Sequence, residues 1–306
     1  MIQTTEVNLV RRLLSLTIFL IAANTVLTLI AQPASYWRFP HSAIRFDGLP
    51  IHSSTNPMFD FFLGHGWPAY LATVTLYAAA VWLLASVVPA RLSMVAELTV
   101  ILGLCYSGSN WIVVRWNAGT AGAMLYIGVA GFLLASAVLS SVGPDDANAL
   151  KRMCLLMALA TAIDAAFTLI GQPPGYWHNT AAVHEGNPIA RYFLEIGWWA
   201  YAAYILVWIA MPWLVAVRAS RLTGWTIAFA FALGGLLGGS NWLFYVWRLG
   251  LQAPVIYGML LSVLIVRLIL RPDQAASHAV ESPDDSQRPV SNESNSVRRG
   301  GFADCC

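Results

Sequence analysis

Charge is scarce in this 306-residue chain: Asp, Glu, Lys and Arg together make up 10% of it, against roughly 25% in an average soluble domain. That scarcity excludes a soluble globular protein and a disordered one. The net charge is only +2, which provides no basic field for nucleic acid. Cysteine is sparse as well. Four cysteines without paired spacing exclude a disulfide scaffold and a zinc ribbon. What is abundant is apolar surface: 58% of residues are hydrophobic and mean hydropathy is +0.63. The fold class that remains is an all-α integral membrane protein, because lipid offers an unpaired backbone no hydrogen bond and no barrel-like alternation is present.

Apolar runs of about 20 residues cross a hydrocarbon core of roughly 30 Å. Eight are expected, at 12–31, 68–90, 94–114, 120–142, 153–171, 196–217, 224–244 and 250–271. The run at 13–30 has no small-residue cleavage site and reads as a span that stays. With both termini in the cytoplasm, Arg11, Arg12, Arg91, Lys151, Arg152, Arg218, Arg221, Arg267, Arg271, Arg288, Arg298 and Arg299 face inward. Arg38, Arg45, Arg115, Arg191 and Arg248 then face outward, and this imbalance favours N-in and C-in. Nine of the 13 tryptophans fall near the outer boundary, as expected of an interfacial aromatic belt. The expected location is the bacterial inner (plasma) membrane. Residues 273–306 are rich in Ser, Asn, Asp and Pro and read as a disordered cytoplasmic tail.

The chain also repeats itself. Thr28–Trp37 (TLIAQPASYW) and Thr168–Trp177 (TLIGQPPGYW) agree at seven of ten positions. Further along, His52 and Asn56-Pro57 resemble His184 and Asn187-Pro188. Leu63, Gly66-Trp67 and Tyr70 match Leu194, Gly197-Trp198 and Tyr201. Gly108 to Trp111 matches Gly239 to Trp242, and Tyr126 matches Tyr257. The expected organisation is therefore a short N-terminus (1–9), a four-helix repeat (10–142), a linker (143–150), a second four-helix repeat (151–272) and the tail (273–306). Four spans per repeat leave both repeats the same way up, a parallel arrangement. The shared residues concentrate near the outer leaflet.

Candidate functional residues lie mostly in the second repeat. Asp164 sits inside an apolar span, where a carboxylate is costly and marks a site by default; a hydrogen-bonded helix contact is the alternative, and Asn24 stands in its place in the first repeat. His178, His184 and Glu185 follow in the adjoining loop. With Asp164 they form either an acid–base cluster or an oxygen/nitrogen metal set. No HExxH spacing is present, so no metal site is assigned. Asn187-Pro188 reads as a helix start, with Asn as cap and Pro in the first turn. Its free N–H groups could instead greet an anion. Arg191 and Glu195 are an i,i+4 pair on that helix. Asn241, like Asn110, follows Gly-Ser near a helix end and could bridge closely packed helices or bind a ligand. Glu97 is expected to snorkel to the inner interface. Cys105 and Cys154 read as packing residues, and Cys305-Cys306 as a free thiol pair.

Asp164, Thr168 and Glu185-Gly186-Asn187-Pro188 resemble the D…T…E-x-N-P signature of small, uncharacterised bacterial polytopic membrane proteins. The likeness spans about 25 residues. It implies a membrane class and a candidate site, and brings no activity. Three functions stay open: a protein binding a small ligand at its outer face through Asp164, His178, His184, Glu185, Asn187 and Asn241; a transporter with its path between the repeats; and a membrane-embedded hydrolase or transferase using Asp164, His184 and Glu185. The partners implied are the bilayer and a small molecule, with no nucleic acid. Nothing in the sequence names a cofactor.

Overall fold

The computed structural model describes residues 2–32, 36–37, 57–115, 118–139 and 147–269. The expected tail, and Arg38, Arg45, His52, residues 53–55 and Asn56 of the first long loop, lie outside the described residues.

Among the described residues the regular structure is entirely helical. The main helices are α1 (Ile2–Ile30), α2 (Pro57–Gly64), α3 (Trp67–Val87), α4 (Ala90–Asn110), α5 (Gly119–Leu139), α6 (Ala147–Ile170), α7 (Pro188–Ile196), α8 (Trp198–Arg218), α9 (Arg221–Asn241) and α10 (Gln252–Ile269). Seven of these, α1, α3, α4, α5, α6, α8 and α9, contain stretches long and apolar enough to cross a membrane. The apolar α10 is shorter, at 18 residues, which corresponds to about 27 Å of helix. Each of the eight expected spans thus coincides with an apolar helix, and seven meet the length of a full span.

The helix boundaries have local causes. Gly66 and Gly197, at φ 99° and 148°, turn the chain sharply into α3 and α8, a conformation that disfavours any side chain. Ser220 caps α9 by accepting the Thr223 N–H. At their far ends α4 and α9 each pass into a single π-helical segment, Trp111–Arg115 and Trp242–Val246. Such segments often accompany functional sites.

Packing is organised around α4 and α9, the most enclosed of the long helices. Helices α1 and α4 lie side by side in the same direction, with Glu6 and Arg91 paired at 3.0 Å near their starts. Further along, the Asn24 amide donates to the Leu104 carbonyl at 3.2 Å. Helices α6 and α9 pair in the same parallel sense, through Gly224 near Leu150 and Gly235 against Ala160. Across the chain's midpoint, Gly131 of α5 lies against Ala230 of α9, and Thr99 of α4 meets Ser262 of α10, hydroxyl to hydroxyl at 3.2 Å. The core these contacts enclose includes Leu13, Met94, Ile101, Leu134, Met157, Trp225, Phe229 and Ile265. Helices α3 and α8 flank it, and their Leu76, Leu83, Val87, Leu206, Val207 and Met211 point outward. An exterior of this kind suits a lipid bilayer, where exposed apolar side chains lose nothing to water.

Glu97 departs from expectation. It does not snorkel: it is 2% exposed, and the Thr17 hydroxyl lies 2.5 Å from Oε2. The parallel pairing of α1 with α4 covers the carboxyl before it can reach an interface. Replacing Thr17 by Val should therefore strand a buried carboxyl and cost about 1–3 kcal/mol. The midpoint of unfolding in mixed detergent should fall, and Thr17→Ser should recover it. An unchanged midpoint for Thr17→Val would mean that the contact contributes nothing.

Candidate functional site

At the end of the bundle where α1, α4, α6 and α9 finish, the chain between α6 and α8 folds over the second half. Two short 3-10 turns, Pro174–Trp177 and Thr180–Ala182, carry it outward, and α7 brings it back. The loop is anchored by residues of the repeated segment. Tyr176 is buried, and its hydroxyl donates to the Leu194 carbonyl at 3.0 Å. Gln172 is also buried. Its amide nitrogen donates to the Thr168 carbonyl at 2.9 Å and to the His184 carbonyl at 3.0 Å. Its amide oxygen accepts the His184 N–H at 2.8 Å. One side chain thus holds both backbone groups of His184 to the end of α6.

That clamp sets the position of Glu185. The start of α7 is built as the sequence implies: Asn187 Oδ1 accepts the Ile189 N–H at 3.0 Å, and Pro188 occupies the first turn. Glu185 Oε1 accepts the Asn187 N–H at 2.7 Å. No external anion is needed here, because the negative group at this helix start is Glu185 itself. Burial pushes the Glu185 carboxyl above the usual carboxylate range, opposed by the N–H groups of Asn187 and Gly186 and by the His184 ring. Arg191 turns away from it and pairs with Glu195 at 2.9 Å.

Asp164 approaches from below, six residues before the end of α6. It is half-buried and lies directly over Gly238 of α9, where any Cβ would collide with both carboxylate oxygens. No hydrogen bond reaches this carboxylate among the described residues. Its electrostatic neighbours are Glu185, Tyr201 and Tyr204 of the loop and α8, and Tyr257 of α10. Thr168 lies near the Tyr201 phenol. Phe193 stacks on Tyr204 at 4.7 Å and 12°. Phe167 sits between Trp247 at 5.1 Å and Tyr257 at 6.1 Å.

The structure thus brings Asp164 and Glu185 into one electrostatic neighbourhood, with Asn187 behind Glu185. His184 is exposed, and its ring lies 6.1 Å from that of Trp242. His178 and Asn241 are both exposed, and neither side chain contacts the two carboxylates. Among the described residues no group of three or more His, Cys, Asp or Glu side chains could hold a metal ion.

The residues that enclose the pair were not singled out by sequence reasoning: Gln172, Tyr201, Tyr204, Tyr257 and Gly238. A signal existed for three of them. Gln172, Tyr201 and Tyr257 are matched in the first half by Gln32, Tyr70 and Tyr126. Comparison with known proteins finds no matching family model, no matching curated protein and no matching solved structure.

Proposed function

We propose that this chain is an eight-span membrane protein of two tandem, parallel four-helix repeats. It lies N-in and C-in in a bacterial inner membrane and binds a small molecule at the outer-leaflet end of its second repeat. The reading keeps the resemblance to polytopic proteins with a D…T…E-x-N-P signature.

Duplication is supported by features that recur at the repeat spacing. Positive φ occurs at Gly66 and Gly197, and again at Gly119 and Gly250. The Tyr36 hydroxyl donates to Leu63 at 3.1 Å as Tyr176 does to Leu194 at 3.0 Å. Gln32 and Gln172 each donate to the threonine four residues before. The third helix of each half ends in a π-helical segment. These recurrences cluster at the same end of the bundle as the carboxylates.

The observation that carries the binding reading is the meeting of Asp164 with Glu185 in the second half only. In the first half Asn24 occupies the place of Asp164, with its amide committed to the carbonyls of Leu20 and Leu104. A scaffold needs no carboxylate there, whereas the second half keeps one opposed to another, a costly arrangement in a low dielectric. The test is a thermal-shift panel of cationic, anionic and neutral small solutes on the detergent-solubilised full chain. Asp164→Asn imitates the first half and should fold. At least one solute should stabilise the native protein and not Asp164→Asn. A panel in which no solute distinguishes the two proteins overturns the binding reading. The topology is read separately on a cysteine-free background. An impermeant thiol reagent applied to intact cells should label Ser54→Cys and spare Ser291→Cys; labelling of both overturns the orientation.

A further inference from the structure

We propose that Glu97 is a proton-binding site in the first half. It holds a proton against Thr17 and exchanges it with water at the end of the bundle where α1 and α4 start. This site is separate from the second-half site and does not depend on it.

The hydrogen count at Thr17 comes first. Its hydroxyl meets two oxygens, the Leu13 carbonyl at 2.9 Å and Glu97 Oε2. A hydroxyl has one hydrogen to give, and neither a carbonyl nor an ionised carboxylate has any. Two hydrogen bonds among these three oxygens need a second hydrogen, and Glu97 is the group able to supply it. With the proton in place, Glu97 donates to Thr17 and Thr17 donates to Leu13. Without it, one of the two contacts sets lone pairs against lone pairs, and a charge sits on a residue that is 2% exposed.

No cation offsets that charge among the described residues. Arg91, at the start of α4, is taken by Glu6 of α1. Arg11 and Arg12 of α1, Arg221 of α9 and Arg267 of α10 are exposed. The helices packed on α4 bring little else that titrates. Tyr77 of α3 is in the neighbourhood of Glu97. Tyr126 of α5 sits at Gly108, about three turns further along α4. From α10 comes the Ser262 hydroxyl, engaged with Gly258 and Thr99. The core residues from α5 and α9, such as Leu134 and Leu233, are apolar.

The second half supplies an independent observation. At the repeat spacing, Thr17, Tyr77, Ser93 and Glu97 correspond to Met157, Trp208, Gly224 and Ala228. Met157 and Ala228 are fully buried in the core. The pairing of α6 with α9 is therefore built without the carboxyl and hydroxyls found between α1 and α4, so packing alone does not call for them. An intramembrane carboxyl with no packing role marks a functional group by default.

Ser93 marks the side on which the proton enters. It is fully buried, and its hydroxyl has no hydrogen-bond partner among the described residues. It lies one turn before Glu97 on the same face of α4, toward the Glu6–Arg91 pair, and the whole distance from Arg91 to Glu97 is about 9 Å of helix. A hydroxyl both donates and accepts, so it passes a proton without keeping it. Release leaves a Glu97 carboxylate and delivers one proton to water; no other reactant takes part. Thr17 then turns its hydrogen to the carboxylate and gives up the Leu13 carbonyl.

The test is infrared difference spectroscopy on the full-length protein in detergent, titrated from about pH 5 to about pH 10. The carbonyl stretch of a neutral carboxylic acid is separate from the carboxylate bands. The expected result is a neutral-acid band that persists at about pH 7, where exposed carboxyls are ionised, shifts in D₂O and disappears reversibly at higher pH. It should be missing from Glu97→Gln and retained in Asp164→Asn. Thr17→Met combined with Glu97→Ala copies the second half. That variant should keep the native circular dichroism and lack the band, which keeps the test open if Glu97→Gln folds poorly. Ser93→Ala should keep the band and slow its shift in D₂O at least about tenfold. Absence of a Glu97-dependent band at about pH 7 means that the carboxyl is ionised, and overturns the proposal. A band that neither shifts in D₂O nor responds to pH identifies a sealed structural acid, and overturns it as well. An unchanged D₂O shift in Ser93→Ala removes the entry route through Ser93.

Discussion

Gly235→Leu should be among the most damaging single substitutions in this protein, while Gly234→Ala, one residue away, should be harmless. A Cβ on Gly235 would lie 2.7 Å from the Ala160 carbonyl carbon and 2.8 Å from both the Ala160 oxygen and the Thr161 nitrogen. All three are backbone atoms, so no side chain can rotate aside. Helices α6 and α9 would have to separate along their length, and close approach through small residues is what holds helices together where lipid competes for apolar contact. Overpacking of this kind costs about 1–3 kcal/mol and more where the backbone must move; a loss of about 3 kcal/mol or more is expected here. At Gly234 nothing lies within 4 Å of an added Cβ. Alanine there should gain up to about 1 kcal/mol of helix propensity. Unfolding in mixed detergent, followed by circular dichroism, reads both. Equal midpoints for the two variants would mean that α6 and α9 do not touch at Gly235. Because Asp164 lies one turn further along the same contact, over Gly238, Gly235→Leu should also displace it and abolish any Asp164-dependent ligand effect.

Gln172→Leu should release the loop over the site. It removes three hydrogen bonds from one buried side chain, two of them to His184. With each backbone group left unmatched at about 1–3 kcal/mol when buried, and water able to reach the half-exposed loop, the net loss expected is about 2–4 kcal/mol. Most of this should appear locally, because Tyr176 still holds the loop to α7. Hydrogen–deuterium exchange at the His184 amide should accelerate about a hundredfold or more, since 1.4 kcal/mol is a factor of ten, with little change at Phe229 in the core. Glu185 should lose its fixed position relative to Asp164. An unaltered His184 exchange rate would show that the loop is held by other means.

Much of the loop's local construction was legible along the chain. Asn187-Pro188 announces a capped helix start, and the structure has that cap. Arg191 and Glu195 pair as their spacing implies. These succeed because donor and acceptor lie within one turn of each other, so chain geometry alone fixes the contact. Reading Glu97 as an interfacial residue failed because its depth depends on α1, 80 residues away. His178 was grouped with Asp164 because it follows in the adjoining loop, and Asn241 because it lies near a helix end in the same repeat; in the structure both are exposed.

Composition and apolar run length by themselves determined the membrane class, the helical class and the approximate position of each apolar helix, since in lipid every backbone group must be satisfied within its own segment. Identity between TLIAQPASYW and TLIGQPPGYW pointed to the end of the bundle where Gln172 and Tyr176 anchor the loop. Only the tertiary structure decided which polar groups meet. Helices such as α3, α5 and α6 are apolar on nearly every side, so their sequences carry no phase that says which face turns inward. That rotation is set where backbones can approach, at Gly131 against Ala230 and Gly235 against Ala160. Those contacts turn Asp164 toward Gly238, Tyr257 and Glu185 rather than toward lipid.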